Sequence, residues 1–284
     1  MSQWQNWIGR EEQRRDRVDE ALVARWLATF DRTGPAVGTV PQGFHWCLCT
    51  PDAPTVALGP DGHPLREDGP DSLLPPLPHL PRRMWASSEV EFLAPLRVGD
   101  AVRRRSRVQA IDAKSGGSGE LVFVTVLHET FGGDVLAVRE VQSLVYRAAA
   151  SADAPLSPPP PGEQCFDPSP WAAHRTLVPS EALLFRYSAL TFNTHRIHYD
   201  SPYARDAERY RGLVVHGPLT ATLLLDLAQR ELGDGALKGF GFRGLSPAIC
   251  GEVLNLVMRP APDGWELAAF AADGRHVAGA SASA

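Results

Sequence analysis

The stretch Phe185-Arg-Tyr-Ser-Ala-Leu-Thr-Phe-Asn-Thr-His-Arg-Ile-His-Tyr-Asp200, followed by Leu213-Val-Val-His-Gly-Pro-Leu-Thr220, decides how the rest of the chain is read. The first segment sets a carboxamide, Asn193, five residues before an imidazole, His198. The second sets the backbone amide of Gly217 at the mouth of an apolar helical pattern that runs from Pro218 to Leu232. That pattern carries Leu219, Leu223, Leu224, Leu227 and Ala228 on one face, with proline in its first turn. A carboxamide, a titratable ring and an open N–H are the parts needed to add water beside a thioester carbonyl, or to remove it.

Working outward, Leu183 to Phe192 reads as strand-like, and strand patterns follow the helix at Gly239 to Leu245, Glu252 to Met258, Trp265 to Ala272 and Arg275 to Ala278. Toward the N-terminus lies the stretch 148–162, rich in alanine, serine and proline, which cannot build a core and reads as a linker. Residues 1–147 and 163–284 are then each of ordinary domain size. The first opens with a helical pattern from Arg17 to Phe30, in which Val18, Leu22, Trp26 and Phe30 recur every four residues. A Pro/Gly-rich region, Pro51 to Pro81, is long for a compact domain and reads as a functional or partner-covering loop. Strand patterns at Met84 to Phe92, Ala101 to Ile111, Glu120 to Thr130 and Val135 to Tyr146 form an antiparallel meander. Phe44 to Cys49 is expected to begin a buried helix inside it. Pattern alone supports an α+β chain with two antiparallel-sheet domains.

The two segments around His198 and Gly217 resemble the MaoC-like, R-specific enoyl-CoA hydratase family. Ile197-His198 fits its signature, Ala204 falls where a small residue belongs, and Thr191 stands for a serine. Phe192 replaces the family's glycine, Asn193 its catalytic aspartate, and His195-Arg196 its Asn-Pro. These departures, with Leu80-Pro-Arg-Arg-Met-Trp85 and Pro95-Leu-Arg-Val-Gly-Asp100, resemble the branch of mesaconyl-C4-CoA and itaconyl-CoA hydratases and mitochondrial-type 3-hydroxyacyl-thioester dehydratases. The resemblance implies a double hot-dog fold, two antiparallel sheets each wrapped round a central helix. It implies an N-terminal half (1–147) that binds the acyl chain and a catalytic C-terminal half (163–284), joined by 148–162.

It also assigns roles. His198 is the general acid/base, since imidazole titrates near neutrality and works in both directions. Asn193 cannot accept a proton and is left to hold water by accepting and donating hydrogen bonds; the alternative is a turn-former bonding its own backbone. Gly217 N–H, backed by the helix dipole, would stabilise the enolate oxygen. Arg196, His216, Tyr199 and Trp85 are candidate substrate contacts, although Arg196 is equally placed to pair with Asp200 one turn on. His195, His198 and His216 would suffice for zinc, but the resemblance implies no metal and no redox cofactor, only CoA or pantetheine as part of the substrate. A hot-dog thioesterase, which would need a carboxylate such as Asp226 near Gly217, is the alternative of another class.

Composition sets outer bounds. With 44% apolar and 21% charged residues the 284-residue chain is that of a soluble globular protein, and a net charge of −5 gives nucleic acid no basic face to bind. No apolar run is long enough for a membrane span, and the N-terminus lacks the pattern of a secretory signal. Cys47, Cys49, Cys165 and Cys250 lack disulfide or Cys-x-x-Cys spacing, so a cytoplasmic location is expected. The expected partner is an acyl-CoA or acyl-carrier-protein substrate. Two hot dogs in one chain can pair internally, so both a monomer and a homodimer are open.

Overall fold

The computed structural model describes residues 4–34, 38–65, 69, 72–116 and 119–284. Ten strands form one antiparallel sheet. In chain order they are β1 (Glu11–Arg17), β2 (Arg82–Phe92), β3 (Ala101–Gly116), β4 (Gly119–Gly132), β5 (Val135–Arg147), β6 (Ala173–Leu177), β7 (Gly239–Gly244), β8 (Leu254–Ala261), β9 (Gly264–Ala271) and β10 (His276–Ser283). Across the sheet the order is β1-β3-β4-β5-β2-β7-β10-β9-β8-β6. The halves meet where β2 pairs with β7, from Ser87 opposite Arg243 to Glu91 opposite Gly239. A bulge between Trp85 and Ser87 lets Trp85 and Ser88 share one face of β2, and Arg83 shares it too by strand alternation.

Three α-helices among the described residues accompany the sheet: α1 (Glu20–Thr29), α2 (Glu181–Thr191) and α3 (Gly217–Leu232). Every residue of α3 from Leu219 to Gln229 is buried, as expected of the helix a hot-dog sheet wraps. Its core includes Phe44 and Leu48 from the N-terminal half and Leu256, Leu267 and Ala269 from the C-terminal half. Gln42 and Gln229 exchange hydrogen bonds across this junction, N–H to Oε1 at 3.1 Å and Nε2–H to C=O at 3.1 Å. Gly43, at φ 96°, lies so close that a Cβ would stand 2.8 Å from Leu225.

Three expectations are corrected. The four N-terminal strands are not a simple meander: β3, β4 and β5 follow one another, but β2 lies beside β5, because β1 takes the free edge of β3. Leu183 to Phe192 is not a strand but most of α2. Ser180 caps it by accepting the Leu183 N–H, Glu181 suits its first turn, and Leu184, Tyr187 and Leu190 fall on its buried face. Phe44 to Cys47 is a single 3-10 turn rather than the start of a helix, and α3 is the one long buried helix among the described residues. The edge strands β1 and β6 carried no sequence signal, because neither shows an apolar alternation.

Candidate active site

The His-rich turn hangs between α2 and α3. α2 ends on Phe192 in the left-handed region, and Asn193 N–H bonds the Ser188 carbonyl at 2.9 Å. Asn193 Oδ1 accepts the His195 N–H at 2.9 Å, so the carboxamide closes a local turn. Of the two roles open to it from sequence, its oxygen takes the turn-forming one. A 3-10 turn, Arg196–His198, follows, and its Ile197 joins Ala204, Tyr210, Val214 and Ile249 in one small apolar cluster.

His198 is buried, with its Nδ1 2.7 Å from the Val214 carbonyl. That contact calls for a proton on Nδ1 and leaves Nε2 as the lone-pair nitrogen, which makes no hydrogen bond to the described residues. Burial pushes its pKa down to about 3, opposed by the Val214 carbonyl and helped by the nearby His63. The ring stacks on His216, centroids 3.5 Å apart and planes at 21°. His216 is fully buried, bonded through Nε2 to Ser188 Oγ at 2.8 Å and met edge-on by Tyr187. Burial, with His198 alongside, keeps it well below the ordinary histidine range.

Gly217 is the first residue of α3, where N–H groups have no acceptor within the helix. Trp85 from β2 faces it. A Cβ on Gly217 would lie 3.7 Å from the indole and 3.9 Å from the Trp85 carbonyl, ordinary contact distances, so the helix start and β2 lie side by side here. The indole is fixed by a 2.7 Å bond from Nε1–H to Ser88 Oγ, by stacking on Phe242 at 5.1 Å and by Trp46 edge-on at 5.5 Å. Ser88 Oγ and Trp46 Nε1 both donate to Glu140, a buried carboxylate beside His45. Burial opposes its ionisation, but His45, His128 and Ser88 outweigh that and hold Glu140 at about 2.

His198, His216, Gly217 and Trp85 thus come together, whereas Arg196 and Tyr199 do not join them. Arg196 gives Nε and Nη2 to Asp200 (3.0 and 2.7 Å) and Nη1 to the Pro60 carbonyl (2.9 Å), and it lies over Tyr203. Tyr199 is about half exposed. Among the described residues His195, His198 and His216 do not group their ring nitrogens as a ligand set, whereas ligand atoms of Asp61, His63 and His195 lie within 4.8 Å of one another. Asp226, the base a thioesterase would need, is fully buried among Arg32, Arg175 and Arg230 and is a structural node.

Two features were missed in the sequence. The Pro/Gly-rich region sends residues 59–65 across the His-rich turn, where His63 packs on His195 with centroids 4.1 Å apart. Arg83, on the Trp85 face of β2, has no ion-pair partner among the described residues and acts electrostatically on His195 and Asp61. Asp-Gly-His inside a proline-rich stretch and the doubled arginine before Met84 were the available signals.

Residues 43–250 match the family model described as hydroxyacyl-thioester dehydratase type 2. The chain belongs to that family. A curated relative is mesaconyl-C(4)-CoA hydratase of Chloroflexus aurantiacus, 42% identical over 95% of this chain and 94% of its own. Among solved structures, the MaoC-like dehydratase of Phytophthora capsici superposes with a TM-score of 0.69 at 14% identity, covering 97% of this chain and 96% of that one. A Mycobacterium tuberculosis protein described as having a double hotdog fold gives 0.57 at 16% identity, covering 97% and 95%. The chain is therefore a hydro-lyase with a double hot-dog fold. No helix among its described residues is long and apolar enough to cross a membrane.

Proposed function

We propose that this hydro-lyase reversibly hydrates a short dicarboxylic enoyl-CoA, mesaconyl-C4-CoA or itaconyl-CoA, with no metal or redox cofactor. The observation that carries the reading is a neutral, desolvated His198 with Nε2 unbonded, stacked beside the amide that opens α3. In hydration, Nε2 takes a proton from water as the oxygen attacks Cβ, and the charge passing to the thioester oxygen falls on Gly217 N–H at the positive end of α3. Asn193, its oxygen committed to the turn, retains its NH2 to steady the attacking water. The extent of similarity to the Chloroflexus hydratase supports the substrate class. Arg83 supports it too, as a cation with no described partner next to Trp85, suited to a second carboxylate.

The test follows the enoyl-thioester absorbance with mesaconyl-C4-CoA, itaconyl-CoA and crotonyl-CoA, for the wild type and His198→Ala. The expected result is hydration of a dicarboxylic substrate that falls roughly 10²–10⁴-fold in the variant. Preference for crotonyl-CoA would make the protein a fatty-acid-type 3-hydroxyacyl-thioester dehydratase instead. Release of free thiol without loss of the double bond would sink the hydratase reading in favour of a thioesterase.

A further inference from the structure

The N-terminal half supplies more than the Trp85 wall. Its loop at residues 59–65 is clamped to the catalytic turn by the Arg196 N–H on the Asp61 carbonyl (2.9 Å), Arg196 Nη1 on Pro60, and Thr194 Oγ1 on the Gly62 carbonyl (2.6 Å). Gly62, at φ 87°, lies so tightly there that a Cβ would stand 2.0 Å from the Thr194 carbonyl oxygen. The clamp presents a preformed pair: Asp61 accepts the His63 N–H at 3.0 Å through Oδ1 and faces His63 Nδ1 at 2.9 Å through Oδ2. His63 lies against His195, which meets His198 edge-on at 5.4 Å. It also lines a cavity of about 320 Å³ with Arg83, Leu65 and Tyr203.

We propose that Asp61 and His63 form an acid–base dyad that moves the proton at Cα while His198 moves the proton of water, so that the active site is assembled from both halves. The inference rests on the hydratase reading above. Hydration has two proton transfers, and Asn193 supplies no carboxylate for either. The other carboxylates near the turn are spoken for: Asp200 by Arg196, Glu208 by Arg82, Asp226 by three arginines. Of the four imidazoles in ring contact here, His63 alone is bonded to a carboxylate, the arrangement that lets a ring hold a proton and hand it over. Among the described residues, the charged and titratable groups around it are Asp61 on its own loop, His195 and His198 from the turn, Arg82 and Arg83 from β2, and Tyr203 and Glu208 across the cavity.

In hydration the C–O bond forms at Cβ as His198 Nε2 takes the water proton, and the π pair moves through Cα to the thioester oxygen. The His63 imidazolium, its Nδ1–H on Asp61, gives the Nε2 proton to Cα and the carbonyl re-forms. His198 then releases its proton to solvent and His63 takes one up, so one water is consumed and both rings are restored. Asp61, His63 and His195 also offer three ligand atoms within 4.8 Å of one another, but Asp61 Oδ2 already faces His63 Nδ1, a partner suited to a shared proton.

The test compares the full-length wild type with His63→Gln, Asp61→Asn and His63→Ala, using whichever enoyl-CoA the wild type hydrates. The expected result is a loss in kcat of about 100-fold in His63→Gln with KM little changed, a different pH profile of kcat/KM, and partial rescue of His63→Ala by added imidazole. Thermal midpoints close to wild type separate this from misfolding. A His63→Gln enzyme within about threefold of wild type at every pH would overturn the dyad alone, as would a loss confined to KM with an unchanged profile. Wild-type activity abolished by a chelator and restored by zinc would replace the dyad with a metal site. A wild type inert toward every enoyl-thioester would overturn the hydratase reading and the dyad together.

Discussion

Phe192 ends α2 at φ 49°, ψ 39°, where a side chain crowds the following carbonyl and glycine does not. Its ring is 59% exposed and so recovers little by packing. Phe192→Gly is expected to raise stability by up to about 1 kcal/mol, the relief being partly cancelled by glycine's greater freedom in the unfolded chain. A urea midpoint that rises at unchanged slope would show it, and a lower midpoint would mean that the ring is held by contacts worth more than the strain. At this scale the sequence was most readable where a residue's role is local. His198 and Gly217 follow from a motif whose spacing fixes turn and helix start. Asn193 was harder, because the same carboxamide serves a turn or a water and only the position of the His195 N–H decides between them. Asp61 and His63 left only the faint signal of Asp-Gly-His in a proline-rich stretch, since they reach the His-rich turn through a fold-back over more than a hundred residues of chain.

Among the elements, β4 and its neighbours stood out because burial on one face imprints a period on the sequence, and α3 because its leucine-rich run is buried almost throughout. In α2 that period is masked: Phe185 and Phe192 are exposed, so apolar residues occur on both faces and the segment resembles a buried strand. β1 fails for the opposite reason, seven polar residues at a sheet edge with no face to mark. The 59–65 loop depends on backbone contact rather than pattern, and this gives it a sharp test. Gly62→Ala would push the loop off Thr194 and release the Arg196 clamp. Hydration is expected to fall at least tenfold, with protease sensitivity rising in 51–81 while the thermal midpoint drops only a few degrees. Full activity would mean that the clamp yields without disturbing the site.

The whole molecule is held by buried charge as well as by its core. Glu140, at about 2 in the fold against an ordinary value of 4.5, contributes on the order of 3 kcal/mol above pH 4.5, lost as the pH falls toward 2. His128 and His198 stay neutral in the fold, at about 4 and 3, while the unfolded chain protonates them near 6.5. Both signs agree: stability should decline as the pH falls below about 6.5 and more steeply below 4.5. Urea unfolding across this range would check it, with Glu140→Gln less stable at pH 7 and flatter at the acid end. One feature at this scale reaches further. Because β2 joins β7 through backbone hydrogen bonds and α3 is cored by residues from both sides, covalent continuity through 148–162 is not what keeps the halves together. A nick in that stretch should leave one working particle, and two coexpressed fragments should complement each other, whereas either piece alone would show an unpaired strand to its neighbours and precipitate.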